Sequence, residues 1–255
     1  MIKLKRAIVF GATGGIGQDI CRDLADAGWS LYLHYHSNSQ KAENLVQELF
    51  AKHPDQDFMS LQLDFATGDA QLTDFVKNLL PVNAVVFAQG ITKYGFLGDE
   101  KLANITDLIN INLTVPIKLT KLLEPQLMKR DFSRIVYLGS VYGGAGSALE
   151  SVYSATKGGL TRFAQAYARE VASNNLTVNV IAPGAVKTKM NAFFSEDTIQ
   201  EVKDEIPVGR WANGSDISYW VRTLLDRRSS YLTGQTIYVT GCLLYTSPSP
   251  RDPKT

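Results

Sequence analysis

Three features of the chain predict an open α/β domain, a parallel sheet covered by helices on both faces. Seven short β-rich runs recur along it: RAIVF, SLYLHY, FMSLQLD, NAVVFAQG, RIVYLGS, LTVNVIAPG and QTIYVTG. Helical patterns lie between them, beginning near Gly15, Gln40, Asp69, Leu102, Ser151 and Ser215. Strands joined by helical crossovers form βαβ units, which build parallel sheets. The third feature is bulk, because 255 residues, 45% of them hydrophobic, suffice for one sizeable core.

The first run leads into VFGATGGIGQDI, where Gly11, Gly15 and Gly17 follow a strand and open a helix. Such glycines let the backbone turn sharply and approach a pyrophosphate at the positive helix N-terminus. The spacing is GxxxGxG with no GK[ST], which disfavours a P-loop NTPase; a glycine turn with no ligand is the other reading. At the end of the second run a carboxylate would hydrogen-bond the adenosine ribose and favour NAD. The segment LHYHSNSQK instead carries His36, Ser37 and Asn38, so a 2′-phosphate is not repelled and NADPH is favoured over NADH. Gly14 stands where an arginine would have strengthened that preference, and His36 equally suits a solvated loop.

The fifth run ends at Ser140, and SVYSATKGG follows with Tyr153 and Lys157 four residues apart. On a helix these two point into the same volume, for packing or for acid chemistry. A nearby ammonium favours the phenolate and moves the tyrosine pKa toward the working range, so the phenol can protonate a carbonyl oxygen as hydride reaches the carbon. Ser140 can hold that oxygen. YxxxK alone arises easily by chance; its occurrence together with the glycine turn and the serine favours chemistry.

The sixth run is followed by a long insertion, about 187–214, a candidate substrate cover. Its Met190, Phe193 and Phe194 suit an apolar pocket or a lid folded on the core. After Gly241 the pattern stops, and CLLYTSPSPRD resembles a translated transposase sequencing adapter. Residues 242–255 are therefore read as a non-native tail rather than an ordinary disordered one, and 1–241 as the single domain. A net charge of +1 argues against a nucleic-acid binder. Two cysteines, no metal-type cluster, no signal-peptide pattern and no run of membrane-spanning length lead us to expect a soluble cytoplasmic protein without structural metal.

Taken together, these motifs resemble the short-chain dehydrogenase/reductase family from about Lys5 to Gly241. GATGGIG matches its cofactor loop, including Thr13 and Ile16; LDF, with Asp64 and Phe65, matches the adenine side; and NINLT supplies Asn112. GSVYGG matches its serine motif, YSATK its tyrosine-lysine motif, and APGAVKTKM, with Pro183, Gly184, Val186 and Thr188, its nicotinamide loop. The resemblance implies a Rossmann-type, doubly wound sheet of seven parallel strands in a homodimer or homotetramer. It implies that Tyr153 is the proton donor, Ser140 orients the carbonyl, Lys157 lowers the tyrosine pKa and binds the nicotinamide ribose, and Asn112 holds a water. Asn112 read alone is a polar residue satisfying a kinked backbone. Two departures fall on cofactor scaffolding. Phe10 stands where the family usually has threonine, and FAQG replaces NAG, keeping Gly90 but altering Ala88 and Gln89.

The broad resemblance is to 3-oxoacyl-acyl-carrier-protein reductases, which use NADPH. A closer one is to elongation factor P 5-aminopentanone reductases, through LHYHSN, SVYGGAGSALESVYS and GAVKTKMNAFFS. The substrate is then a small or carrier-bound ketone, with acyl carrier protein or elongation factor P as partner. Glu150 could pair with a substrate amine or be a solvated helix-start carboxylate. Lys129 and Arg130 could meet an acidic carrier or be solvated. A different small ketone, such as a sugar or steroid, and a non-catalytic NAD(P)-binding sensor are the alternatives; the second predicts damage to the catalytic set, and none is visible.

Overall fold

The computed structural model describes residues 5–188 and 195–243. Met190, Phe193 and Phe194 lie outside them, as does the chain from 244 onward. The strands are β1 (Arg6–Phe10), β2 (Ser30–Tyr35), β3 (Phe58–Gln62), β4 (Ala84–Phe87), β5 (Ser133–Leu138), β6 (Leu176–Pro183) and β7 (Thr236–Val239). The α-helices are α1 (Gly15–Asp26), α2 (Ser39–Lys52), α3 (Asp69–Lys77), α4 (Leu102–Ile109), α5 (Val115–Leu127), α6 (Tyr142–Ala145), α7 (Ser151–Val171), α8 (Glu196–Glu205) and α9 (Gly214–Leu225).

All seven strands pair in parallel, in the order β3-β2-β1-β4-β5-β6-β7. Alternation along each strand sends side chains to opposite faces. Ile8, Phe10, Val85, Phe87, Ile135 and Tyr137 meet Leu119 and Leu123 of α5 and Leu160 and Ala164 of α7. Ala7, Val9, Ala84, Val86, Val136 and Leu138 meet Ile20 and Leu24 of α1 and Ile217 and Val221 of α9. Both faces are thus buried, which is why the strands read as unbroken apolar runs.

The direction of winding reverses between β1 and β4. β1 continues outward to β2 and β3, and β4 onward to β7. A crevice opens at that switch beyond the carboxyl ends of the strands, the usual ligand position in such sheets.

The runs FMSLQLD and NAVVFAQG are longer than β3 and β4 because their last residues leave the ladder as loops. The helix expected near Gln40 starts at Ser39, capped by Asn38, whose side chain accepts from the Lys41 N–H at 2.9 Å. The one expected near Ser215 starts at Gly214 with an Asn213/Asp216 capping box. The insertion carries α8, which the sequence reading does not anticipate. Its ends are pinned by a parallel bridge between Val186 and Ala212, with the Lys187 N–H donating to Ala212 O at 2.9 Å. Among the described residues no helix is long and apolar enough to cross a membrane, and no group of His, Cys, Asp or Glu could hold a metal ion.

Candidate active site

The glycine loop sits at the end of β1, in the crevice. Gly11 has φ +77°, and a Cβ there would lie 2.7 Å from Gln89 Cα, so only glycine lets the loops after β1 and β4 touch. The Gly14 N–H returns to Gly11 O at 2.9 Å. Gly17 packs so closely on Gly11 O that any side chain would collide with it. A Cβ on Gly15 would meet Thr188 Cγ2 at 3.0 Å, which brings the loop after β6 against the start of α1. Gly14 caps α1 without a side-chain hydrogen bond, so the first-turn amides face the crevice with the positive end of the helix dipole.

The remaining residues proposed for cofactor binding line the same rim. His36, Ser37 and Asn38 follow β2, and Asp64 and Phe65 follow β3. His36 Nε2 lies 3.5 Å from Asp64 Oδ1, both side chains being mostly exposed. Ala88, Gln89 and Gly90 follow β4; Pro183 ends β6, and Gly184, Val186 and Thr188 follow. Thr13 Oγ1 belongs to the glycine turn, whose Thr13 carbonyl accepts from Lys41 Nζ at 2.6 Å. Lys41, on the first turn of α2, adds a cation beside the loop that the sequence reading overlooks.

Ser140, Tyr153 and Lys157 converge next to this rim. Ser140 follows β5 and is 8% exposed; its Oγ accepts from the Tyr142 N–H at 3.2 Å and is hydrogen-bonded to the Tyr153 phenol. Tyr153 and Lys157 lie one turn apart on α7, with Lys157 Nζ 5.7 Å from the tyrosine ring centroid. Lys157 is buried and donates to Leu138 O at 2.8 Å. Burial pushes its pKa down to about 8.

Lys157 is not among the groups that act on the Tyr153 phenol here. The phenol is pushed up to about 12, chiefly by burial; the Ser140 hydroxyl pulls it back, and Glu150 and Tyr142 push it further up. The lysine is hydrogen-bonded to the Leu138 carbonyl instead. The tyrosine therefore rests in its protonated form.

Asn112 lies in a π-helical turn, Asn110–Thr114, between α4 and α5. Such turns often occur at functional sites. Its side chain is fully buried, accepting from the Ile91 N–H at 2.9 Å and donating to Ile91 O at 2.8 Å. It thereby fixes the loop after β4. A Cβ on Gly90 would sit 3.4 Å from Lys157 Nζ and 3.5 Å from Asn112 Oδ1, so the three residues meet at one point.

Glu150, just before α7, accepts from Thr92 Oγ1 at 2.6 Å, and the Gly95 N–H donates to Leu149 O at 2.9 Å. These bonds join the loops after β4 and α6 over the Tyr153 side. Glu150 stands out in the sequence as a helix-start carboxylate, but its pairing with Thr92 does not, because the join spans 58 residues. Also overlooked is His34 in β2. A histidine inside an apolar strand looks like filler, yet its Nδ1 accepts from the Gly11 N–H at 3.0 Å.

The crevice fits a dinucleotide on its own geometry. The glycine cradle leaves no space for side chains, and Gln89 Oε1 is buried there without a hydrogen-bond partner. Polar atoms so placed normally find one.

Residues 5–199 match the family described as short chain dehydrogenase. The chain is 33% identical over 238 residues to the "Uncharacterized oxidoreductase YmfI" of Bacillus subtilis (strain 168), covering 93% of this chain and 98% of that one. It is 32% identical over 241 residues to the 3-oxoacyl-[acyl-carrier-protein] reductase FabG of Staphylococcus epidermidis, covering 93% and 98%. A solved dehydrogenase/reductase from Sinorhizobium meliloti 1021 shares the fold with a TM-score of 0.86 at 23% identity, covering 94% of each chain. Sheet order, glycine cradle and sequence agree: the chain belongs to the short chain dehydrogenase family and is an oxidoreductase of the NAD(P)-binding type.

Proposed function

We propose that this protein is an NADPH-dependent carbonyl reductase in which Tyr153 is the proton donor. The observation that carries the reading is the convergence of a protonated, half-buried Tyr153 with the buried Ser140 beside the glycine cradle. Gly11, Thr13, Gly14, Gly15, Ile16 and Gly17 would hold the pyrophosphate. Asp64 and Phe65 would border the adenine, and Ala88, Gln89, Gly90, Pro183, Gly184, Val186 and Thr188 the nicotinamide half. Bound reduced nicotinamide supplies the hydride. Ser140 and Tyr153 hydrogen-bond the substrate oxygen and fix the carbonyl carbon toward that hydride. As the oxygen gains negative charge, the Tyr153 O–H gives it its proton. An alkoxide is a far stronger base than a phenolate, so the transfer runs downhill even from a phenol with a raised pKa. Lys157 would hold the nicotinamide ribose, and Asn112 keeps the loop after β4 against that lysine.

The NADPH preference rests on His36, Ser37 and Asn38, none of them acidic, and on Lys41 beside Thr13. The FabG relative supports a 3-oxoacyl thioester substrate. A specific feature favours the second reading, the 5-aminopentanone group on modified elongation factor P. Glu150 is close enough to raise the Tyr153 and Tyr142 pKa values, and Glu205 also acts on Tyr142, so the mouth is acidic and aromatic and suits an amine. Assembly as a homodimer or homotetramer is supported by the exposed Tyr219, Trp220, Tyr231 and Tyr238 around α9 and β7.

The test is NADPH oxidation with a short 3-oxoacyl thioester and with a protein-bound amino ketone, each against Tyr153→Phe. Turnover of either that falls by about 100-fold or more in the variant, with NADPH binding kept, supports the proposal. Turnover that survives the substitution refutes Tyr153 as the acid.

A further inference from the structure

His34 has a more specific arrangement than a core residue needs. It is 3% exposed, yet three of its atoms are hydrogen-bonded to backbone outside its own strand. Nδ1 accepts from the Gly11 N–H at 3.0 Å. Nε2 faces Leu63 O at 2.9 Å, and since a carbonyl only accepts, Nε2 carries the proton. Its own carbonyl accepts from the Ala12 N–H at 3.0 Å. The ring is held on two sides, by Phe10 at 5.2 Å and Phe65 at 5.0 Å between centroids.

The two groups it joins belong to different walls of the crevice. Gly11 is the hub of the glycine turn, its N–H on His34 and its carbonyl on the Gly14 N–H with Gly17 packed against it. Leu63 is the residue before Asp64, on the loop that leaves β3. That loop is ordered further by the Ala66 N–H on Asp64 Oδ1 at 2.8 Å and by Asn110 Nδ2 on Phe65 O at 2.8 Å. One imidazole therefore sets both the direction of the Gly11 peptide and its separation from the adenine-side loop.

We propose that His34 is a positioning residue for the dinucleotide site, a neutral cross-brace that fixes the phosphate loop relative to the adenine loop before cofactor arrives. The inference rests on the cofactor reading above for its consequence, and on the hydrogen bonds alone for its structural content. A pre-set cradle does not have to be ordered by the ligand, so the brace acts on cofactor affinity and leaves the hydride step alone. Side-chain length separates the two bonds. Asparagine places an acceptor near the Nδ1 position and can keep the Gly11 bond; glutamine places a donor near the Nε2 position and can keep the Leu63 bond. Phenylalanine keeps the ring and neither bond.

The experiment compares wild type, His34→Phe, His34→Asn and His34→Gln by NADPH titration, by KM and kcat, and by amide hydrogen exchange over residues 11–17 without cofactor. A lost hydrogen bond typically costs about fivefold, so we expect NADPH affinity to fall about fivefold in the Asn and Gln variants and about 20-fold in Phe, with kcat within about twofold throughout. Exchange at 11–17 should accelerate in Phe and Gln and be largely rescued in Asn, which a merely space-filling ring would not produce. NADPH affinity and exchange unchanged in the Asn and Gln variants would overturn the brace, even where Phe does not fold. Wild type that binds no NADPH while the exchange pattern follows the prediction would refute the cofactor reading and leave the brace standing.

Discussion

Acid should loosen this protein through His34, and the size of the effect follows from its surroundings. Burial lowers its pKa from 6.5 to about 4, the hydrogen bond to Leu63 pulling upward and His36 pushing downward. A protonated ring would also set a second N–H against the Gly11 N–H that Nδ1 now accepts. With the folded pKa below the unfolded one, the unfolded chain binds more protons between them. The stabilisation is therefore complete above pH 6.5 and is lost as pH falls through 4. The full shift corresponds to about 3 kcal/mol, of which about 2 kcal/mol is lost between pH 7.5 and pH 5. Urea unfolding at those two pH values isolates it, because carboxylates and other histidines act equally on wild type and on His34→Gln, whose amide does not titrate. The wild type should lose about 2 kcal/mol more than the variant over this interval. Equal losses would refute the claim that the ring is locked neutral.

Lys157→Met should abolish reduction yet raise the unfolding temperature. At neutral pH a buried lysine with its pKa pushed down to about 8 holds the fold back, and removing it should gain about 1–3 kcal/mol, read by calorimetry. Gly17→Ala sets a methyl group against Gly11 O and should weaken NADPH binding at least about tenfold by titration, since the backbone it meets cannot yield without opening the turn. Glu150→Gln keeps the Thr92 contact but removes the charge. It should raise KM for an amine-bearing ketone about tenfold and leave that for an acyl thioester within about twofold; equal effects on both would remove the amine reading.

The central strands were legible because they are buried on both sides and so are written in apolar runs such as AIVF and AVVF. The glycine turn and the serine, tyrosine and lysine were legible because each is local: a turn that excludes Cβ, and a pair one helical turn apart. What could not be read is what depends on chain segments meeting from afar. The same full burial that marks β2 as a strand hides His34, since no alternation singles it out. The π-turn around Asn112 depends on a hydrogen-bond register that residue pattern does not encode. α8 escaped because its sequence, EDTIQEVKDE, is polar and buries no residue, so it offers no apolar stripe. The raised Tyr153 pKa escaped because a spacing argument counts the nearby ammonium and omits the cost of burying the phenolate.

The bridge between Val186 and Ala212 has a consequence for how this scaffold diversifies. With both ends of the insertion tied at one point, residues inside it can be replaced, added or removed without moving β6 or α9, because lengthening a closed loop costs only slowly growing entropy. Ser140, Tyr153 and Lys157 lie outside the clasp, and Thr188 is the one proposed cofactor contact within it. The enclosed segment is thus an exchangeable cassette. On the proposal that this segment covers the substrate, transplanting it between relatives with Val186, Thr188 and Ala212 kept should carry substrate preference with it.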